Sequence, residues 1–296
     1  MALALTITAA VIAFAALAVA TLLLIQRPIL YPCRFRRTPT DAELPAGAQR
    51  LWITHDQGRT PADFYPAEGK DVDGPAPVIV FAHGNGDLIE DYARGGRAGL
   101  LGYRRRGYAT LLVEYRGCGA ADGSATMPHI LADHLAFVDL IARRPDIDAD
   151  RIVYHGRSMG GGIAAEMTRR RPPAALVLES TYTGITGFSR KLHIPDALVL
   201  DPWEVTGPLR DYAARGGPVL ISHAEDDGII PYAMAETNRA AAPGHAFWKS
   251  NRRHVDFMPD AFFAFVTDWL DRSLPPTPAR REATGAVAST PANAPA

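Results

Sequence analysis

Short apolar runs alternate with amphipathic stretches through the middle of the chain, from about residue 48 to residue 272. Apolar residues at helical spacing in the stretches 127–144 and 163–171 predict helices between these runs. The runs with the length and composition of strands are RLWITH (50–55), ADFYPA (62–67), PVIVFAH (77–83), YATLLVEY (108–115), RIVYHG (151–156), AALVLES (174–180), PVLISHA (218–224) and HAFWKS (245–250). Apolar strands that alternate with helices are typical of a parallel sheet covered on both faces. The pattern predicts an α/β fold with a mostly parallel, eight-stranded sheet that opens with an antiparallel pair.

The stretch from residue 181 to residue 217 breaks this alternation. It is too long for a simple loop after a strand, and it contains Pro195, Pro202 and Pro208. Long connections within a compact domain usually carry function. We expect this stretch to form a small cap insertion over the site, where substrate preference would be decided.

The beginning of the chain has the composition of a membrane span. Residues 2–25 contain no charged side chain and only threonine as a polar one, and about 20 apolar residues cross the hydrocarbon core of a bilayer as a helix. We expect a transmembrane anchor at 1–27, a linker at 28–47 and the folded domain at 48–272. A cleaved secretory signal is the alternative, because AVA at 18–20 resembles a cleavage site. However, no basic residue precedes the apolar run, and the run continues past that site.

Basic residues flank the apolar run on one side. No Lys or Arg precedes the run, whereas four arginines follow it: Arg27, Arg34, Arg36 and Arg37. Because the cytoplasmic flanks of membrane spans are enriched in Lys and Arg, this favours a cytoplasmic position for the domain. At the other end of the chain, residues 273–296 are rich in Pro, Ala and small polar residues, which is typical of a disordered tail.

Charge and composition exclude several classes of function. The 296-residue chain has a formal net charge of -1 at pH 7, so it lacks the basic excess of nucleic-acid-binding proteins and we expect no nucleic-acid partner. Its two cysteines, Cys33 and Cys118, are far apart in sequence and predict neither a disulfide framework nor a metal site. His129 and His134 lack the His-Glu-x-x-His spacing. We expect no metal and no organic cofactor.

The stretch VYHGRSMGGGIAA at 153–165 places Ser158 between Gly156 and Gly160, where a predicted strand turns into a predicted helix. A nucleophile elbow has this arrangement, because the sharp turn that exposes the serine requires neighbouring positions without side chains. The helix that follows directs N–H groups and its positive dipole end toward developing negative charge. Ser158 is therefore the candidate nucleophile.

A glycine-rich turn, FAHGNGD at 81–87, follows an earlier strand. An N–H group of this turn, together with the N–H of Met159, would form an oxyanion hole near the serine. Asn85 is the expected donor, with Gly86 as the second choice. The alternative is an ordinary Gly-Asn-Gly turn beside a core-facing His83.

Two further loops contain a candidate base and candidate acids. A serine hydroxyl needs a histidine to accept its proton, and the histidine needs a carboxylate to hold its tautomer. His254, in SNRRHVDF after the last strand, is the candidate base. The turn EDDGIIPY at 225–232 offers Asp226 and Asp227 as acids, and Glu179 at the end of the preceding strand is a further candidate.

Over residues 26–272 the chain resembles the alpha/beta-hydrolase superfamily, and more narrowly its membrane-anchored, single-span branch of monoacylglycerol-lipase-like and depalmitoylase-like serine hydrolases. The resemblance rests on QRPILYP, HGNG, EYRGCGAADG, GRSMGG, ESTYTG, EDDGIIPY and RRHVDF. It implies Ser158 as nucleophile, Asp227 as acid and His254 as base, in the chain order that this fold uses. The family's spacing to the Ile230-Pro231 pair selects Asp227 over its neighbour.

The chain departs from the family pattern at two places. The acid motif commonly begins His-Gly, where this chain has His223 and Ala224. The base motif commonly has Gly before the histidine and Asn-Asp after it, where this chain has Arg253 before and Val255-Asp256 after. Neither departure removes a reacting group, so both concern the local turn geometry and access of the substrate.

Motifs and resemblance together predict a serine hydrolase that cleaves an acyl ester or thioester of a small-molecule or lipid substrate through an acyl-enzyme. A serine peptidase or aminopeptidase of the same fold would share every motif. A membrane-anchored binding protein without turnover is the other alternative, since one fold hosts many functions. The presence of all three triad residues and both oxyanion elements favours the enzyme. A thiol nucleophile at Cys118 is disfavoured, because no base is placed in order beside it.

Overall fold

The computed structural model describes residues 1–41, 43–68, 74–93, 100–256 and 258–275 of the chain. The strands in this part are β1 (Gln49–His55), β2 (Gly58–Tyr65), β3 (Ala76–Ala82), β4 (Ala109–Val113), β5 (Ile147–Arg157), β6 (Ala175–Glu179), β7 (Val219–Ala224) and β8 (Ala246–Ser250). The helices are α1 (Ala2–Leu30), α2 (Ile89–Ala93), α3 (Leu101–Arg104), α4 (Met127–Ile141), α5 (Met159–Met167), α6 (Ile185–Lys191), α7 (Thr206–Ala214), α8 (Tyr232–Ala241) and α9 (Asp260–Ser273). Of the expected tail, residues 276–296 lie outside the described residues.

The strands form one sheet in the order β1-β2-β4-β3-β5-β6-β7-β8. β2 pairs antiparallel with both β1 and β4, and the other neighbouring strands are parallel. The predicted eight-stranded, mostly parallel sheet with its opening antiparallel pair is confirmed. The carboxyl ends of the parallel strands lie at one edge of the sheet, where ligands bind in folds of this class.

The central strands are buried along their whole length. Every residue of β3, β4 and β6 is buried, which explains why these runs are almost entirely apolar. Successive side chains of a strand point to opposite faces. Val78 and Val80 accordingly pack in one core cluster with residues of α4 and α5, whereas Ile79 and Phe81 pack in a second cluster with residues of α9. Helices therefore cover both faces of the sheet, as the pattern predicts.

The stretch 181–217, the expected cap, divides into two parts. Leu209 and Tyr212 of α7 are buried in the core cluster, so α7 is one of the helices that cover the sheet. Ile185 and Phe188 of α6 instead line the cavity beside Ser158. The earlier part of the stretch, with α6, is thus the part that borders the site.

Helix α1 is long and apolar enough to cross a membrane. At 1.5 Å per residue it extends about 43 Å, more than the roughly 30 Å of a bilayer core. Its last turns contact the domain. The Gln26 side-chain amide donates a hydrogen bond to the carbonyl of Leu198 at 2.8 Å, and Nε of Arg27 lies 2.9 Å from the buried carboxylate of Asp201.

The first residues of the expected linker at 28–47 pack into the domain. Tyr31 and Cys33 are fully buried, and the Tyr31 hydroxyl accepts a hydrogen bond from the indole N–H of Trp203 at 2.9 Å. These two residues of the expected linker therefore belong to the buried core.

Cys33 and Cys118 form a disulfide bond, with their Cα atoms 5.2 Å apart. The expectation that these cysteines stay unpaired is wrong, because distance along the sequence does not set distance in the fold. The loop after β4 returns to the segment that follows α1. There the N–H of Gly119 donates to the carbonyl of Arg36 at 3.0 Å, and the N–H of Thr38 donates to the carbonyl of Gly119 at 3.2 Å. Cys118 therefore offers no thiol for nucleophilic attack.

Candidate active site

Ser158 occupies the turn between β5 and α5 with a positive φ of 53°. Its N–H donates to the carbonyl of Glu179 at 2.8 Å, which attaches the turn to β6. The flanking glycines leave no room for side chains. A Cβ at Gly156 would lie 2.2 Å from the carbonyl oxygen of Gly160, and a Cβ at Gly160 would lie 2.0 Å from that of Ala82. This close approach of backbones is the physical reason for the glycines on either side of the serine.

The structure brings Ser158, His254 and Asp227 together at the carboxyl edge of the sheet. Nε2 of His254 lies 3.0 Å from Oγ of Ser158, and Nδ1 lies 2.7 Å from Oδ2 of Asp227. With Nδ1–H donating to the carboxylate, Nε2 faces the serine hydroxyl as an acceptor, which is the tautomer that a general base needs. This arrangement can take the proton of Ser158 and return it to a leaving group.

The surroundings of Asp227 keep its carboxyl group ionised. Its Oδ1 accepts hydrogen bonds from the N–H groups of Ile229 at 2.9 Å and Ile230 at 2.8 Å. Burial raises the pKa of the carboxyl, but the hydrogen bond with His254 and these two backbone bonds outweigh it, so that the pKa is lowered. The negative charge of Asp227 is therefore present to stabilise an imidazolium at His254.

The two competing acids lie away from Nδ1 of His254. Asp226 is exposed. Glu179 is buried, with Oε2 3.0 Å from Nε2 of His155 and Oε1 3.0 Å from Nε of Arg157. Burial raises the pKa of Glu179, but the hydrogen bond with His155 and the charge of Arg157 outweigh it and lower the pKa. The geometry thus leaves Asp227 as the candidate acid.

The loop after β3 borders Ser158 and contains the predicted oxyanion donor. Asn85 is exposed and lines the same cavity as Ser158, Met159 and Gly86. Met159 is the first residue of α5, and the first N–H groups of a helix have no partner within it. The roles of Asn85 and Met159 as oxyanion donors stay predictions.

The segment that follows α1 contacts this loop. The N–H of Cys33 donates to the carbonyl of Asn85 at 3.3 Å. Arg36 donates from Nη1 to the carbonyl of Gly86 at 2.9 Å, and the same nitrogen lies 2.6 Å from Oδ2 of Asp91. Two residues that closely follow α1 are therefore attached to the backbone of the loop after β3, which contains the predicted oxyanion donor and is called the oxyanion loop below.

His83 is fully buried beneath the same loop. Its Nε2 lies 3.0 Å from Oε1 of the buried Glu114, and its Nδ1 lies 2.8 Å from the carbonyl oxygen of Gly84. Because both ring nitrogens face acceptors, the imidazolium, which donates from both, satisfies the site. Burial disfavours that charge, but the carboxylate of Glu114 and the hydrogen bonds outweigh it and raise the pKa of His83. The buried contact of His83 with Glu114 thus supports the Gly-Asn-Gly turn.

A cavity of about 350 Å³ opens beside Ser158. Its apolar lining comes from the end of α1, from α6 and from the loops after β7 and β8: Leu30, Ile185, Phe188, Ile229 and Val255. The acid in its lining is Asp87, which accepts a hydrogen bond from the hydroxyl of Tyr92 at 2.6 Å. The cavity can hold an apolar chain next to the serine hydroxyl.

Comparison of amino-acid sequences identifies relatives of this chain. The family described as Serine aminopeptidase, S33, matches residues 73–199. The uncharacterized protein Rv2307c of Mycobacterium tuberculosis is 30% identical over 223 residues, which cover 73% of this chain and 75% of that protein. The lysophosphatidylserine lipase ABHD12 of Xenopus tropicalis is 30% identical over 224 residues, which cover 66% of this chain. The match spans 56% of the length of that lipase.

Solved structures share the fold. The Pyrococcus furiosus esterase Pf2001 superposes with a TM-score of 0.58 at 17% identity, over 80% of this chain and 93% of the esterase. The 2,6-dihydroxy-pseudo-oxynicotine hydrolase superposes with a TM-score of 0.58 at 20% identity, over 77% of this chain and 68% of that chain. This chain belongs to the alpha/beta-hydrolase superfamily. The identity of this alpha/beta-hydrolase to the two structures is low, so their likeness concerns the fold alone.

One residue near the candidate triad of this alpha/beta-hydrolase was missed in the sequence analysis. Arg157, just before the serine, is buried, and its Nη2 donates to the carbonyl of His254 at 2.6 Å. The available signal was an arginine within an apolar strand, where an unpaired charge is costly. In the described part of the chain, no group of three His, Cys, Asp or Glu side chains is arranged to hold a metal ion.

Proposed function

We propose that this alpha/beta-hydrolase is a membrane-anchored serine hydrolase that cleaves an acyl ester or thioester through a covalent acyl-enzyme. The observation that carries the proposal is the line of contacts from Ser158 through His254 to Asp227, with separations of 3.0 Å and 2.7 Å. A hydroxyl, an imidazole and a buried carboxylate at these separations are the groups that nucleophilic acyl transfer needs.

In the proposed reaction, Oγ of Ser158 attacks the carbonyl carbon while Nε2 of His254 accepts the hydroxyl proton. The N–H groups of Asn85 and Met159 stabilise the negative charge on the carbonyl oxygen. His254 then passes its proton to the departing alcohol or thiol, which leaves the acyl group on the serine. A water molecule, deprotonated by His254, attacks the acyl-enzyme and releases the carboxylic acid together with the free serine.

The lining of the cavity favours a lipid acyl chain as the bound part of the substrate. Its apolar residues include Leu30, the last residue of α1, so the cavity borders the proposed anchor. A volume of about 350 Å³ lies near the lower end of the range of small-ligand sites, which favours a substrate with one acyl chain. The printed name of the ABHD12 relative, a lysophosphatidylserine lipase, supports the same class of substrate.

A peptidase is the second candidate, because the matching family is described as a serine aminopeptidase. That activity requires a carboxylate for the ammonium group of the substrate. The acid in the cavity lining, Asp87, accepts a hydrogen bond from Tyr92 and lies 3.9 Å from Nη1 of Arg157. Its charge already faces a protein cation, and this favours an ester over a peptide.

The proposed anchor is α1, and two observations favour opposite orientations of this helix in the membrane. The arginines after the span favour a cytoplasmic domain, yet Arg27 and Arg36 pair with Asp201 and Asp91 of the domain, which gives them a structural reason for their positions. The disulfide between the two cysteines favours an oxidising compartment, because cytosolic proteins rarely keep disulfides. We propose that the domain lies on the side of the membrane that faces the oxidising compartment, opposite to the cytoplasmic side expected from the arginines.

Protease accessibility tests this orientation. Trypsin added to intact spheroplasts should digest the domain, and protection until the membrane is permeabilised would contradict this orientation.

Labelling with a fluorophosphonate probe tests the proposed nucleophile. The full-length protein should be labelled covalently, and Ser158→Ala should abolish the label. Ser180→Ala is the matched control, because Ser180 follows the neighbouring strand β6 and also has a positive φ. It should be labelled like the wild type. Labelling that persists in Ser158→Ala would reject the assignment.

A substrate panel tests the proposed bond and chain. We expect hydrolysis of p-nitrophenyl esters to rise with acyl length, and hydrolysis of a lysophospholipid. Aminoacyl p-nitroanilides should not be cleaved. Cleavage of the anilides without ester hydrolysis would favour the peptidase, and absence of turnover with every substrate and probe would favour a binding protein.

A further inference from the structure

Arg157 is almost fully buried and its guanidinium reaches three separate elements around the site. It is 6% exposed. Nη2 donates to the carbonyl of His254 at 2.6 Å, and Nη1 donates to the hydroxyl of Tyr92 at 3.1 Å. Nε lies 3.0 Å from Oε1 of Glu179 at the end of β6. One side chain thus joins the loop that carries the candidate base, the helix α2 beside the oxyanion loop, and the strand next to the nucleophile turn.

The burial of an arginine is weak evidence that it stabilises the fold. The cost of removing its charge from water often equals what an ion pair returns, and apolar replacements of buried pairs are frequently neutral. Burial works against the charge of Arg157, but the carboxylate of Glu179 outweighs it, so the pKa of the guanidinium is raised and the group stays charged. What the guanidinium adds beyond this pair is its fixed set of donors, directed to groups of the site.

Arg157 makes a long-range contact with the backbone of the loop that carries His254. The other backbone hydrogen bonds of residues 251–256, within the part of the loop that the structure describes, are local. Arg252 bonds to Ser250, and Arg253 and Asp256 bond to each other. The bond from Arg157 to the carbonyl of His254 therefore links the backbone of this loop to the strand that ends at Ser158.

We propose that Arg157 is a positioning residue that holds His254 at the correct distance from Ser158. The proposal rests on the proposed function, since it assigns Arg157 a task within that triad. The same guanidinium extends the constraint to the oxyanion side, because the hydroxyl of Tyr92 accepts from Arg157 and donates to Asp87 at 2.6 Å. A single guanidinium thereby fixes the relative positions of the nucleophile turn, the loop that carries His254 and the oxyanion loop.

Loss of this contact affects turnover more than substrate binding. Arg157 itself lines the cavity. Its donors, however, are directed to protein groups, so its replacement leaves the apolar lining residues in place. A displacement of about 1 Å at a reacting group costs roughly 100-fold in rate. We therefore expect Arg157→Met to lower kcat by about 100-fold with a nearly unchanged KM.

The test uses full-length protein in detergent and a short p-nitrophenyl ester, with kcat, KM and the melting temperature measured for each variant. Arg157→Met leaves the buried Glu179 without its cation and is expected to lower the melting temperature. The double variant Arg157→Met/Glu179→Gln removes that unpaired charge and should recover much of the melting temperature, while kcat stays low. Arg157→Lys, which can still donate one hydrogen bond, should recover part of kcat.

The matched control is Arg116→Met, because Arg116 is another buried arginine that pairs with an acid, Asp133, and it does not line the cavity. It should lose stability and keep kcat within about twofold of the wild type. Recovery of kcat together with stability in the double variant, or wild-type kcat in Arg157→Met, would overturn the positioning role. The proposed function fails separately, if Ser158→Ala remains active in the same assay.

Discussion

Oδ2 of Asp227 lies 2.7 Å from Nδ1 of His254, although the two residues belong to loops that follow different strands. Strands β7 and β8 are parallel neighbours, so the loops at their carboxyl ends emerge side by side. The order of the sheet therefore pairs this acid with this base.

We predict that Asp227→Asn lowers kcat for ester hydrolysis by about 10,000-fold while the protein stays folded, because the imidazole loses the group that holds its tautomer and stabilises its cation. Steady-state kinetics and circular dichroism measure the two effects. Asp226→Asn is the matched control, since Asp226 is the adjacent, exposed acid. It should keep kcat within about twofold of the wild type, and the reverse result for the two variants would move the acid to Asp226.

The buried pair of His83 and Glu114 predicts a pH-dependent stability. The pKa of His83 is raised in the folded protein above its ordinary value of 6.5, so its contribution is complete below pH 6.5 and is lost as the pH rises through the raised pKa. The slope contributed by one proton is at most about 1.4 kcal/mol per pH unit.

Urea unfolding measured between pH 6 and pH 9 tests this contribution. His83→Gln should show a smaller decline of the unfolding free energy with pH than the wild type does. His193→Gln, at an exposed histidine, is the control and should keep the wild-type slope. Equal slopes in His83→Gln and the wild type would reject a charged His83.

The disulfide predicts a non-additive pair of substitutions. Cys33→Ser and Cys118→Ser each remove the same bond, and closing a loop of this size contributes about 4.6 kcal/mol in the chain-entropy account. Each single variant and the double variant should therefore lose a similar unfolding free energy in denaturant. Two free thiols in the unreduced, unfolded wild type, or losses that add, would contradict the bond.

The contacts made by the end of α1 and by the residues that follow it predict where the chain can be shortened. Removing residues 1–21 leaves Gln26, Arg27 and Tyr31 with their partners. This variant should leave the membrane fraction and retain ester hydrolysis. Removing residues 1–33 deletes the fully buried Tyr31 and Cys33 and should give unfolded or aggregated protein. Similar activity in both variants would show that the domain does not need this segment.

The sequence predicted the structure correctly where a local pattern has a single physical cause. The glycines around Ser158 predict the elbow because a side chain at either position would collide with backbone. The apolar runs predict the buried strands because both of their faces are covered.

Such local patterns could not predict contacts between segments that are distant in sequence. The pairing of Cys33 with Cys118 depends on the path of the loop after β4. The contact of Arg157 with the carbonyl of His254 depends on how the end of β5 and the loop after β8 meet at one edge of the sheet. The spacing of residues along the sequence predicts neither arrangement.

In the proposed reaction, Ser158 carries the acyl group during turnover. Rapid quenching of the full-length protein with a slowly hydrolysed long-chain p-nitrophenyl ester, followed by peptide mass spectrometry, measures this directly. We predict a peptide containing Ser158 that is heavier by the mass of the acyl group. It should be enriched in wild type quenched before deacylation and absent in Ser158→Ala. Turnover with the acyl group on another residue, or with no acylated peptide in a quench that captures the burst of p-nitrophenol, would contradict it.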